Sequence, residues 1–226
     1  NNKTKFLCVE FHTKANALDG LTNDCLMKAY ELAQDKFDGI VLANDAMQFS
    51  AGVNLNYFYD KAINKEFKEI DSFLNNFQQS LYQLQHAKFP VVSCPSGLAI
   101  GGGYEVVSQT SFVAAHANSI LGLVETLVGL IPAGGGCKEM LRRWSNHPEI
   151  NNDPKLLSLK VFNLIGYATT ADSPTKAKTQ MSAIYHGILL LISVFTFPTL
   201  LEMIPSASLA AILCILGFKL LKMTLK

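Results

Sequence analysis

The sequence predicts a layered α/β fold followed by an apolar helical tail. Short apolar runs alternate with segments of helical period over most of the chain, as βαβ units require. Glycine-rich turns separate several of these runs. Beyond about residue 178 the charged residues nearly vanish: from Thr179 to Phe218 the single formal charge is Glu202.

The elements follow in order. Phe6 to Phe11 is apolar with partial alternation and reads as a strand. Leu21 to Phe37 places Leu26, Met27, Tyr30, Leu32 and Ala33 near helical spacing. Gly39 to Ala43 is a short buried strand that runs into a small, polar loop from Asn44 to Gly52. A helix is expected from about Asn54 and a longer one from Glu66 to Gln85. Pro90 to Cys94 reads as a strand closed by Pro95 and Gly97. Gly101 to Ser108 opens a helix, and Ser111 to Ala115 returns as a strand. Helices from Glu139 and over Leu156 to Ile165 complete the α/β part.

With 226 residues the chain can bury one sizeable core. A net charge of +1 gives no field that favours nucleic acid. Five scattered cysteines without a C-x-x-C pair suggest a reducing, cytoplasmic setting and point away from a metal site. Residue 1 is Asn and no secretory signal is recognisable, so the expected context is the interior of a longer reading frame.

The chemistry-bearing residues cluster around glycines. In Phe49-Ser-Ala-Gly-Val-Asn-Leu55, Gly52 sits where a loop meets a helix, so the Val53 N–H can face a pocket. Gly101-Gly102-Gly103 stands at a second such junction. Two donors from separate segments can form an oxyanion hole; each can equally be an ordinary loop-to-helix turn. Glu105 follows one turn into the second helix, where the helix dipole alone favours an acid. Glu125 follows the apolar run Ile120 to Val124, which should bury it partly and raise its pKa, although a turn or cap residue would look the same. The five histidines are isolated, and Gly-x-Ser-x-Gly, a Walker A loop and a convincing dinucleotide fingerprint are absent.

From about Lys5 to Asp172 the chain resembles the enoyl-CoA hydratase/isomerase, or crotonase, family. The segments that carry this are Phe11 to Asp19, Phe49 to Leu55, Lys88 to Val92, Gly97 to Glu105 and Gly122 to Gly136. Gly122-Leu-Val-Glu125 and Cys137-Lys-Glu-Met140 are most similar to the hydratase domain of bifunctional 3-hydroxyacyl-CoA dehydrogenase proteins. The resemblance implies a crotonase-like layered ββα superhelix and a lyase that adds water to trans-2-enoyl-CoA in fatty acid β-oxidation. It implies that Val53 and Gly102 bind the thioester oxygen, that Glu105 activates water and that Glu125 protonates C2. It further implies contacts to the coenzyme A portion from Lys14, Ala15, Ala51, Asn54, Leu55 and Gly101. Isomerases of the family need the second glutamate alone, so the presence of both favours a hydratase. No metal or redox cofactor is implied, coenzyme A being part of the substrate.

Four positions depart from the family pattern: Asn54 for Asp, Ala133 for Gly, and Gln109-Thr110 for Cys-Asp. The resemblance stops near Asp172, so residues 1–172 are expected to form a truncated domain without the covering helices that support the family's homotrimer. Residues 173–226 are expected to form an apolar helical segment that resembles the last membrane helices of SulP-type sulfate permeases. The resemblance rests on Lys178 to Gly187, Phe197 to Leu213 and Gly217 to Leu220. Membrane association would run through 183–218. A non-catalytic chimera, or a membrane-inserted transporter fragment, is the competing expectation to a cytoplasmic hydratase.

Overall fold

The computed structural model describes residues 4–172. The tail segment 173–226, with the apolar helices and membrane association expected in it, lies outside the described residues. Among the described residues no helix is long and apolar enough to cross a membrane.

The described residues form six strands and six α-helices. They are β1 (Phe6–Val9), α1 (Gly20–Lys36), β2 (Gly39–Ala43), α2 (Leu55–Ile63), α3 (Phe67–Gln85), β3 (Val91–Cys94), β4 (Leu98–Ile100), α4 (Gly102–Ser108), β5 (Phe112–Val113), β6 (Ile120–Gly122), α5 (Gly136–Ser145) and α6 (Pro154–Gly166). Short 3-10 turns cover Lys14–Asn16, Glu125–Val128 and Pro148–Ile150.

Four strands form a parallel sheet in the order β1-β2-β3-β5. Parallel neighbours cannot be joined by a tight hairpin, so helices carry the crossovers. Ile40, Leu42 and Val91 are wholly buried in this sheet. The helices meet them with apolar faces: Leu26, Ala29 and Ala33 on α1, and Phe73, Phe77, Leu81 and Leu84 on α3. The three-, four- and seven-residue spacings put each set on one side of its helix. Asp19 starts α1 by accepting the Thr22 N–H at 2.9 Å, while the Thr22 hydroxyl oxygen accepts the Asp19 N–H in return.

A second, two-stranded parallel sheet pairs Leu98 with Ile120, Ala99 with Leu121 and Ile100 with Gly122. The sequence reading has no strand at either place, because three residues are too few to display a period. This small sheet matters for the site. It lays the start of α4 beside the segment that leads to Glu125, and the Gly101 N–H donates to the Gly122 carbonyl at 2.9 Å.

Candidate functional site

The site grows from three chain turns that meet at the start of α4. The first is Gly52-Val53-Asn54. Leu18 pairs with Val53 in an isolated parallel bridge: the Leu18 N–H donates to the Gly52 carbonyl at 2.8 Å, and the Asn54 N–H donates to the Leu18 carbonyl at 2.9 Å. In a parallel bridge the residue between those two contacts turns its own N–H to the opposite side. The Val53 N–H therefore faces away from Leu18.

The second turn is Gly101-Gly102. Gly101 has φ +54° and ψ −129°, a backbone conformation that side chains disfavour, and it caps α4. The chain then enters the helix with the Gly102 N–H as its first donor, which has no partner within the helix. The two amides are neighbours: a methyl group on Gly52 would lie 3.4 Å from the Gly102 nitrogen, and one on Gly102 would lie 3.4 Å from the Val53 nitrogen.

The third turn brings Glu125, the first residue of the 3-10 turn after β6. Its carboxylate sits against Gly101, where a methyl group would meet Oε1 at 3.5 Å. Both carboxylate oxygens are buried without a hydrogen-bond partner. Burial pushes the Glu125 pKa up; the nearby Glu125 and Val124 main-chain groups oppose the rise without making a bond of good geometry.

Glu105 is held differently. It is 2% exposed, and its Oε1 accepts the Gly136 N–H at 2.8 Å. Gly136 is the first residue of α5, so this carboxylate satisfies an orphan donor at the start of another helix. That partner also explains why α5 begins at Gly136 and not at Glu139, where the sequence reading starts it. Burial raises the Glu105 pKa to about 7; the Gly136 bond pulls it down, and repulsion from Glu125 adds to the rise.

Val53, Gly102, Glu105 and Glu125 all line one pocket of about 500 Å³. Its remaining wall is largely apolar, with Phe58, Leu74 and Phe77 from α2 and α3 facing Val128 and Ile131. A polar constellation against an apolar wall can bind a ligand with a hydrocarbon part, polarise an oxygen and move protons.

Of the other expected site residues, Leu55 lines the pocket, whereas Lys14, Ala15, Ala51, Asn54 and Gly101 are not among its lining residues. Lys14 and Ala15 are exposed on the first 3-10 turn, and the Ala51 N–H donates to the Ala15 carbonyl at 3.1 Å, so these segments are tied together. Leu55 lines the pocket and is 44% exposed. Asn54 caps α2, its side-chain oxygen accepting the Asn56 N–H at 3.2 Å. Gly101 touches the site through Glu125. No group of three or more His, Cys, Asp or Glu able to hold a metal occurs among the described residues.

Several supporting residues are absent from the sequence reading. Asn16 is buried, and its amide donates to the Gln48 carbonyl at 2.9 Å, anchoring the Lys14 turn to the loop before Val53. Glu139 is wholly buried, and it accepts bonds from Gln85 at 2.8 Å and from Arg142 at 2.7 and 2.9 Å. Burial alone would raise its pKa, but the bonds from Arg142, Gln85 and Lys138 together hold it below the usual carboxylate value. Glu139 thus ties the end of α3 to α5. A glutamate followed by two arginines three and four residues later was its one visible signal.

Comparison with known proteins bears on the family and the fold. A family model described as enoyl-CoA hydratase/isomerase matches residues 4–147. The chain is 32% identical over 170 residues to a Bacillus subtilis (strain 168) protein named "Probable 3-hydroxyacyl-CoA dehydrogenase", covering 75% of this chain and 21% of that protein. The chain spans about a fifth of the length of the first curated relatives it matches. The crystal structure of an enoyl-CoA hydratase from Polaromonas sp. JS666 superposes with a TM-score of 0.68 at 18% identity, over 80% of this chain and 67% of that one. An enoyl-CoA hydratase from Bacillus anthracis gives 0.63 at 20% identity, over 80% and 66%. At such identities the likeness shows the crotonase-like α/β fold. A sulfate permease family model matches residues 163–225, under a third of the chain and almost wholly beyond the described residues. The long match over residues 4–147, with the fold shared by solved hydratases, makes the chain a member of the enoyl-CoA hydratase/isomerase family.

Proposed function

We propose that the described domain adds water across the double bond of a trans-2-enoyl-CoA. The observation that carries this reading is the convergence of two main-chain donors and two pKa-raised carboxylates on one largely apolar pocket. The thioester oxygen accepts the Val53 and Gly102 N–H groups. Glu105 takes a proton from water as the water oxygen bonds to C3. The C2=C3 electron pair shifts to C1=C2, and the negative charge gathers on the thioester oxygen, where both N–H groups stabilise it. Glu125 then gives its proton to C2 as the thioester carbonyl re-forms. One water has been added, Glu105 holds a proton and Glu125 has lost one; exchange with solvent restores both.

Burial raises the pKa of both carboxylates, and repulsion from Glu125 raises Glu105 further. Two buried carboxylates around one pocket disfavour double ionisation, so the pair tends to keep one proton near neutrality. A base and an acid are then present together. Because the pair is coupled, its two apparent pKa values belong to both groups.

Coenzyme A is proposed to lie along the exposed segment formed by Lys14, Ala15, Ala51, Asn54 and Leu55, with Gly101 at its inner end. The Ala15 carbonyl and Ala51 N–H already bond each other and Asn54 already caps α2, so contacts must use the remaining polar atoms. Assembly into a trimer belongs to the same proposal and is read by sedimentation.

The test is the loss of conjugated enoyl-thioester absorbance with trans-2-butenoyl-CoA, with the product examined by NMR. A 3-hydroxyacyl product, and its loss in Glu125→Gln, is expected. Equal rates for both proteins would remove Glu125 from the mechanism, and migration of a double bond without hydration would assign the site to an isomerase.

A further inference from the structure

Gln109 stands at the end of α4, one turn beyond Glu105, where the family pattern has a different residue. It is 2% exposed. Its amide nitrogen donates to the Gly134 carbonyl at 2.9 Å and to the Glu105 carbonyl at 3.3 Å. Its oxygen has a long contact of 3.5 Å from the Lys138 ammonium. The amide also packs on Gly135, where a methyl group would lie 2.9 Å from Nε2. Residues four apart share one helix face. Glu105 and Gln109 therefore grip the same loop from one helix: the carboxylate takes the Gly136 N–H, and the amide takes the Gly134 carbonyl.

We propose that Gln109 is a positioning residue that clamps the Gly134–Gly136 loop so that the Gly136 N–H stays on the Glu105 carboxylate. The inference rests on the hydratase reading for its link to turnover, though not for the clamp itself. Without the amide, the Gly134 carbonyl loses its buried partner, and a buried polar group without one is costly enough to move a glycine loop. The Gly136 N–H moves with it. That bond favours the ionised form of Glu105, so its loss leaves the base more often protonated.

Other groups face Glu105 from the neighbouring elements. Glu125 from the 3-10 turn repels it, and Cys137 of α5 is close enough to feel its charge. Phe77 of α3 presents only an apolar ring, packed against Gly134. Tyr104, next to Glu105 on α4, has a raised pKa from burial and stays neutral. Lys138 reaches Gln109 and Glu139.

The experiment is a pH titration of Glu105 by carbon NMR in protein labelled at the glutamate carboxyl carbon, assigned through Glu105→Gln. The native midpoint is expected near 7. Gln109→Met keeps the length of the side chain and removes its donors. It is expected to raise the midpoint by about one unit, a tenfold change in the ionisation equilibrium. The acid limb of kcat/KM should move with it while KM stays near native. A folded Gln109→Met protein with an unmoved midpoint overturns the clamp, even if its thermal stability falls. A moved midpoint in a protein whose native form does not turn over enoyl-CoA supports the clamp and removes the hydratase reading. If Gln109→Met does not fold, Gln109→Asn keeps the amide one methylene short. A smaller upward shift there supports the clamp, and no shift overturns it.

Discussion

Glu105 and Glu125 meet at one pocket by opposite means. Glu105 sits in a helix, is 2% exposed, and is tied to the first N–H of α5. Glu125 begins a short 3-10 turn, and its buried oxygens have no partner. Burial raises both pKa values, but one carboxylate is fixed and the other is unbonded. The difference fits two tasks. A base that orients a water gains from a fixed direction, while an acid that delivers a proton to carbon needs its oxygen free until substrate arrives.

The largest effect should come from removing either carboxylate. Glu105→Gln and Glu125→Gln are each expected to lower kcat by about 10²–10⁴-fold, the usual span for a general acid or base. The double variant should fall little below the worse single one, because the two act as a unit. Additive losses in steady-state kinetics would instead mean that each works alone.

Stability offers a second contrast. Burial in the folded protein lifts the Glu105 pKa to about 7 from its ordinary 4.5. The native state then binds the proton more tightly than the unfolded chain, so stability falls as pH rises from about 4.5 to 7 and levels off above. The accumulated penalty above pH 7 is about 3 kcal/mol. Glu105→Gln removes the charge and keeps an acceptor for Gly136. It should therefore be more stable than the native protein at pH 8 by up to about 3 kcal/mol, with the gap closing near pH 4. Denaturant midpoints at both pH values measure this, and a gap independent of pH would contradict the assignment.

The same linkage shapes the rate. In kcat/KM an acid limb with a midpoint near 7 is expected where the Glu105 side of the pair gains its proton. A second limb should mark titration of the Glu125 side of the pair. A flat profile from pH 5 to 9 would leave the coupled pair without kinetic support.

The smallest expected effect lies at the hinge between the two glutamates. Gly101→Ala places a side chain at φ +54°, with its methyl 3.5 Å from Glu125 Oε1. A cost of about 1–3 kcal/mol is expected from the strained backbone. Thermal unfolding would show it, and activity should fall more in this variant than in one of equal stability loss far from the pocket.

Sequence alone made much of this visible, unevenly. Helices α1 and α3 are long enough for Leu26, Ala29 and Ala33, or Phe73, Phe77, Leu81 and Leu84, to display their period. The donors at Val53 and Gly102 and both glutamates stood beside glycines, and all four line one pocket. Strands β4 and β6 remained hidden, because their pairing is a long-range fact written in three residues each. Asn16 and Gln109 were silent as supports, while Glu139 showed only the two arginines three and four residues on. The importance of the first two lies in which carbonyl the fold brings to them, and no local spacing records that.

The most direct test of the central claim is a crystal structure with a saturated acyl-CoA, which occupies the pocket without turnover. Its thioester oxygen is expected about 2.7–3.1 Å from both the Val53 and Gly102 nitrogens, with the two carboxylates beside C2 and C3. A thioester oxygen that meets only one of these amides, or a Glu125 turned away from the acyl chain, would contradict it.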